Sequence, residues 1–227
     1  MKIIIQRGQL NKKQDVEIEY ELKDIKERPM ALEVLIDTQE KMHPGLAFRY
    51  GCRNGLCGVC TVDINGKSKL ACRTKLRNND KISHMQGLPI IKDLVVKRDA
   101  INKQLQGRLP IVDVNPNKLG LDHNALSNLN RCIECYACLK GCPVHDKNND
   151  SDHLVFGNPY SFLRIQRVIV DPSATSNDKL EAINLALDLG VLSYDEDSVP
   201  GCGVGINLKK DVIVPLKNIC KDNKKVK

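Results

Sequence analysis

Tryptophan is absent from this chain, and aromatic residues make up only 4% of it. No rings are interleaved with the basic residues to stack on bases, so nucleic-acid binding has little support. Long apolar runs are missing too. A membrane-spanning helix needs roughly 20 apolar residues, and the longest candidates here, Val168–Val170 and Asp211–Leu216, are short and interrupted. Met1–Arg7 carries a brief isoleucine run with no small-residue cleavage site, so neither a signal peptide nor a transmembrane segment is expected. A credible acid–base or nucleophile constellation is also lacking. His43, His84, His123, His145 and His153 are scattered, which suits surface or packing roles.

What is present describes a globular chain: 227 residues, 41% hydrophobic and 28% charged, enough for one large domain or two small ones. Part of the net charge of +7 sits in residues 221–227, which reads as a basic, solvated and partly disordered tail. Residues 1–106 read as one unit. Lys2–Gln6 and Val16–Leu22 are strand-like, the second by its alternation of Val16, Ile18, Tyr20 and Leu22. Ala31–Met42 follows Pro29 and places Leu32, Leu35, Ile36 and Gln39 along a helical face. Val59–Ile64, the turn Asn65-Gly66 and Lys67–Thr74 predict a hairpin with a type I′ turn. Together these suggest a β-grasp sheet.

The stretch Gly107–Gly120, with Pro110 and Pro116, looks like a connection, and residues 107–220 beyond the first unit read as helical. Helices are expected at Asn124–Leu129, Tyr160–Val170 and Asp178–Leu189, the last with Ser176 or Asn177 as its cap, a face of Leu180, Ile183 and Leu187, and Gly190 as its stop. A further helix is expected at Leu208–Ile219, capped by Asn207 and bent by Pro215. The fold class is therefore α+β.

Ten cysteines decide the rest. A secreted disulfide scaffold fits poorly with this length and the lack of a secretory signal. Cys52, Cys57 and Cys60 form C-x4-C-x2-C, and Cys72 follows eleven residues later. That is the plant-type [2Fe–2S] spacing. Two irons need four thiolates, three of them from one loop wrapped closely round the cluster. Gly51, Gly55 and Gly58 would let that loop turn its N–H groups toward the sulfides. A four-cysteine zinc site usually pairs C-x2-C knuckles, which this pattern does not.

Cys132, Cys135, Cys138 and Cys142, with Pro143 after them, form the bacterial ferredoxin run C-x2-C-x2-C-x3-C-P. Three of these hold one cubane, and the last points to another cluster. Cys202 is the best candidate for the missing ligand of a [4Fe–4S] cluster. Its setting, Cys202-Gly-Val-Gly-Ile206-Asn207, resembles the turn that follows such a ligand and starts a helix. Cys142 and Cys220 are left over, as buried small hydrophobes or as ligands that a partner completes. Thiolates kept as ligands imply a reducing compartment, so a cytoplasmic location is expected.

These motifs in this order resemble the iron–sulfur subunit of succinate dehydrogenase and fumarate reductase. The likeness rests on both cysteine groups, on Leu88–Val95, on Arg131–Cys135, on the Gly157-Asn-Pro159 helix start and on Cys202–Ile206. It implies a β-grasp [2Fe–2S] domain followed by a helical ferredoxin domain. It also implies a flavoprotein subunit with FAD as partner, and a further redox protein or carrier as the second partner. The resemblance breaks at the third cluster. Leu192 and Ser198 stand where the family has two cysteines of a [3Fe–4S] centre, and Val144–Lys147 stands where it has quinone-site tryptophan. No direct quinone site is therefore expected. The expected function is an electron-transfer subunit of a soluble flavoprotein oxidoreductase; the alternative is a freestanding ferredoxin-like carrier serving several enzymes. An iron–sulfur sensor is disfavoured, since no nucleic-acid-binding motif is seen.

Overall fold

The computed structural model describes residues 1–9, 12–20, 28–113, 115–118, 123–139 and 157–225. The chain forms two compact units, one of Met1–Arg98 with Ile133–Lys140 and one of Asp99–Cys132 with Gly141–Lys227.

The first unit is built on a five-stranded sheet. Strand β1 (Lys2–Gln9) pairs antiparallel with β2 (Lys12–Glu19), setting Ile3 opposite Ile18 and Ile5 opposite Val16. The Asn65-Gly66 turn joins β3 (Thr61–Ile64) to β4 (Lys67–Leu70), and φ is 51° at Asn65 and 73° at Gly66. Positive φ at both positions matches the type I′ geometry that the sequence predicts. Strand β5 (Asp80–Ser83) runs parallel to β1 and antiparallel to β3, so the order is β2-β1-β5-β3-β4. Helix α1 (Ala31–Lys41) starts where the Glu33 carboxylate accepts from the Met30 N–H at 2.8 Å. Its buried Ala31, Leu32, Val34 and Leu35 join Ile3, Ile5, Ile18, Val62, Ile64 and Ile82 in one core. This is the expected β-grasp arrangement. β2 ends at Glu19, one residue short of the described Tyr20, and the rest of the expected strand, Glu21 and Leu22, lies outside the described residues. A small hairpin, β6 (Ile90–Lys92) with β7 (Val95–Val96), follows the sheet.

The second unit is helical: α2 (Ala100–Lys103), α3 (Asn124–Asn130), α4 (Pro159–Val170), α5 (Ser176–Asp188) and α6 (Val214–Lys225). Asn158 caps α4 by accepting from the Ser161 N–H at 3.0 Å, with Pro159 as first helical residue. α4 buries Tyr160, Phe162, Leu163, Ile165 and Val168, as a helix enclosed by others should.

Three expectations are corrected here. The cap of α5 is Thr175, not Ser176 or Asn177: its hydroxyl accepts from the Asp178 N–H while the Asp178 carboxylate accepts from the Thr175 N–H, a reciprocal capping box. Leu180 is 42% exposed, and the buried face is Ala182, Ile183, Leu185 and Ala186. The last helix runs through Lys225, so most of the supposed basic tail is ordered helix. Fully buried Cys220 anchors that final stretch, and lysines suit the negative end of the helix dipole. Asn207 does accept from the Lys210 N–H at 3.0 Å, but the following turns, Lys209–Ile213, are wide π-type turns that accommodate Pro215.

Candidate iron–sulfur centres

The loop between α1 and β3 is irregular, with positive φ at Arg53 (57°), Gly55 (71°) and Gly58 (67°). Those turns aim backbone N–H groups at sulfur. Asn54 and Leu56 donate to Cys52 Sγ at 3.4 and 3.3 Å, Cys52 donates to Cys57 Sγ at 3.4 Å, and Gly55 donates to Cys72 Sγ at 3.2 Å. N–H donors favour the charged thiolate that binds iron. The pair aimed at Cys52, from Asn54 and then Leu56, holds that exposed thiol down at about 7. Cys72 sits on a 3-10 turn, Ala71–Arg73, directly after β4, and its Sγ lies 3.4 Å from Cys60 Sγ. Burial, first of all, pushes Cys60 up to about 11. The loop thus offers two buried thiols as a floor and two more open ones, Cys52 and Cys57, as a rim.

The approach to this loop is fixed by Asp93, whose side chain is 5% exposed. Arg7 Nε and Nη2 donate to its two oxygens at 3.3 Å each, the Gly8 N–H donates at 3.1 Å and the Ala47 N–H at 2.9 Å. Burial alone would raise this carboxyl, but the Arg7, Ala47 and Gly8 donors outweigh it and hold it below the usual carboxylate range.

Of the second cysteine run, Cys132 is half-buried after α3, Cys135 is buried, and Cys138 is half-buried on a 3-10 turn, Ala137–Leu139. Glu134 and Tyr136 have φ of 52° and 58°, so backbone turns alternate with the cysteines as in the first loop. Cys135 and Ala137 share one core cluster with Cys60 and Cys72. Cys132 and Cys202 belong to the helical unit, while Cys135 and Cys138 belong to the sheet unit. The Val204 N–H donates to Cys202 Sγ at 3.4 Å, and Arg131 Nη2 donates to the Val204 carbonyl at 2.8 Å. Cys52, Cys57, Cys60, Cys72 and Cys202 carry free thiols, as ligands must. Among the described residues no group of three or more His, Cys, Asp or Glu is set to hold a single metal ion. The donor chemistry, soft sulfurs receiving several N–H bonds, fits iron–sulfur clusters.

Cys142, Val144–Lys147 and His153 lie outside the described residues. Cys220 is fully buried, with its thiol directed at the Ile183 carbonyl at 3.9 Å. Leu192 is half-buried on a 3-10 turn, and Ser198 donates to the Asp195 carbonyl at 3.1 Å. Sequence reasoning missed the role of Asp93. A lone acid after an apolar stretch carries no local signal for a contact with residues far along the chain. Among the described residues no helix is long and apolar enough to cross a membrane.

Comparison with known proteins agrees with this chemistry. Residues 1–103 match the family described as a 2Fe-2S iron-sulfur cluster binding domain. The chain is 29% identical over 197 residues to succinate dehydrogenase [ubiquinone] iron-sulfur subunit 1, mitochondrial, of Oryza sativa subsp. japonica, covering 81% of this chain and 69% of the relative. It is 26% identical to the succinate dehydrogenase iron-sulfur subunit of Paracoccus denitrificans, over 86% of this chain and 77% of that one. It is 30% identical to a fumarate reductase (CoM/CoB) subunit of Methanothermobacter marburgensis over 65% of this chain, but spans only 30% of that longer protein. In fold it is similar to a chain of the Mycobacterium smegmatis Sdh1 complex in the apo form, with a TM-score of 0.82, 22% identity, and coverage of 99% of this chain and 96% of the other.

Proposed function

We propose, from its membership in the family of iron–sulfur subunits of succinate dehydrogenase and fumarate reductase, that this chain relays single electrons from or to an FAD-bearing partner subunit. Cys52, Cys57, Cys60 and Cys72 hold a [2Fe–2S] cluster, and Cys132, Cys135, Cys138 and Cys202 hold a [4Fe–4S] cluster. The clusters supply reversible one-electron storage. This chain's residues bind them, exclude water from the buried thiols, and set the charge around them. Substrate chemistry belongs to the flavin partner, and a further redox protein or carrier in a reducing, cytoplasmic compartment takes the other end of the relay.

The observation that carries this reading is the ring of backbone N–H donors aimed at Cys52, Cys57 and Cys72. Those bonds compensate thiolate charge and so favour the form that ligates iron. Anaerobic purification from the native host, with iron analysis, EPR and identification of co-purifying flavoprotein, tests it. About six irons per chain are expected, two and four in the respective clusters. Stoichiometric zinc in their place would overturn the assignment.

A further inference from the structure

Arg98 is a half-buried cation at the end of the first stretch of the sheet unit. Its Nη2 donates to the Val59 carbonyl at 3.3 Å and meets Met85 Sδ at 3.6 Å. Its guanidinium carbon lies over the Tyr136 ring, 5.7 Å from the centroid. Val59 immediately precedes Cys60, and Tyr136 immediately follows Cys135. Nε is buried with no hydrogen-bond partner, an arrangement that hydrogen bonding alone does not explain. Burial first, and then the neighbouring Arg49 cation, pull this guanidinium below its ordinary value, while Tyr136, Cys135 and Cys60 act in the opposite sense.

We propose that Arg98 is a positioning residue shared by the two clusters, holding the Cys60 and Cys135 loops together and placing one positive charge beside both. This rests on the cluster assignment above. An electron arriving on either cluster adds negative charge. A fixed cation in a poorly solvated site favours the reduced state of each, so it raises both reduction potentials. Guanidinium suits the role because it remains protonated under burial and stacks on a ring while its edge donates to a carbonyl.

The test is an EPR-monitored redox titration of the holoprotein carrying Arg98→Met or Arg98→Lys. Arg98→Met keeps the bulk and removes the charge, and should move both potentials downward. Arg98→Lys keeps the charge and loses the planar fork, and should leave both close to the unsubstituted protein. Unchanged potentials in Arg98→Met, a shift at one cluster only, or an equal fall in Arg98→Lys would overturn the proposal. Arg98→Gln serves as a second neutral variant if Arg98→Met does not take up iron. Iron content and EPR signals of the unsubstituted protein are read first. Loss of the cluster assignment there is thereby separated from failure of the Arg98 role.

Discussion

The carbonyl oxygen of Ile133 lies 2.2 Å from where a β-carbon on Gly58 would stand. Gly58 belongs to the first cysteine loop and Ile133 to the second, so the two motifs meet at a point where only glycine fits. The Cys135 backbone is almost as close, with its N at 2.9 Å from the same point. At φ of 67° the residue is also in the left-handed region.

Gly58→Ala should therefore destabilise the protein by roughly 3 kcal/mol or more, combining left-handed strain with a backbone clash that no rotamer relieves. Gly66→Ala is the matched control. Its φ is 73° and nothing lies within 4 Å of its added methyl, so only about 1–2 kcal/mol of strain is expected. Urea unfolding of the two variants side by side measures the difference, and equal costs would refute the close approach.

Asp93 should give acid sensitivity of a definite sign. Its folded-state pKa is held below the usual value, so its contribution is complete above about pH 4 and is lost as pH falls through the lowered value. Asp93→Asn should cost about 1.5–3 kcal/mol at neutral pH, from weakened donors at Arg7, Gly8 and Ala47. The gap to the unsubstituted protein should shrink in acid. A gap in urea midpoint that stays constant from pH 7 to about pH 3 would contradict the charged network.

Cys202→Ser should remove the cubane and spare the [2Fe–2S] centre, lowering iron from about six to about two per chain. EPR distinguishes the two signals. If Cys142→Ser abolishes the cubane and Cys202→Ser does not, the two cysteines have exchanged roles.

The native complex should not turn over soluble quinone analogues, and oxidation should produce no [3Fe–4S] signal. Leu192 cannot ligate iron, and the Ser198 hydroxyl is a hard donor already given to the Asp195 carbonyl. Quinone turnover accompanied by that signal would show that these two residues do not occupy the third-cluster positions.

Much of this was legible in the sequence because the signals are local. Asn65-Gly66 fixed its hairpin, and the spacing of Cys52, Cys57 and Cys60 predicts a loop that returns on itself, as it does. The cap of α5 was misplaced because Thr175, Ser176 and Asn177 are all good caps, and only the reciprocal bond to Asp178 selects among them. Asp93 and Arg98 were not legible at all. Asp93 reaches back to Arg7, and Arg98 joins Val59 to Tyr136; no pattern along the chain marks such distances. The tail misled because its composition is polar, while the helix through it is held from buried side chains that precede it, Leu216 and Cys220.

The sheet unit is discontinuous: the chain leaves it after Arg98 and returns for Ile133–Lys140. A fragment ending at residue 106 would therefore lose Cys135 and Ala137 from the core that holds Cys60 and Cys72. During synthesis the first unit stays unfinished until the ribosome has made at least 140 residues, by which time α3 has also been made. Contacts between residues 58 and 133 close a long loop, a slow step in folding. Until it closes, the thiols of the first loop lack part of their cover. The cover of Cys60 and Cys72 and the seating of Cys135 are therefore completed in one folding event.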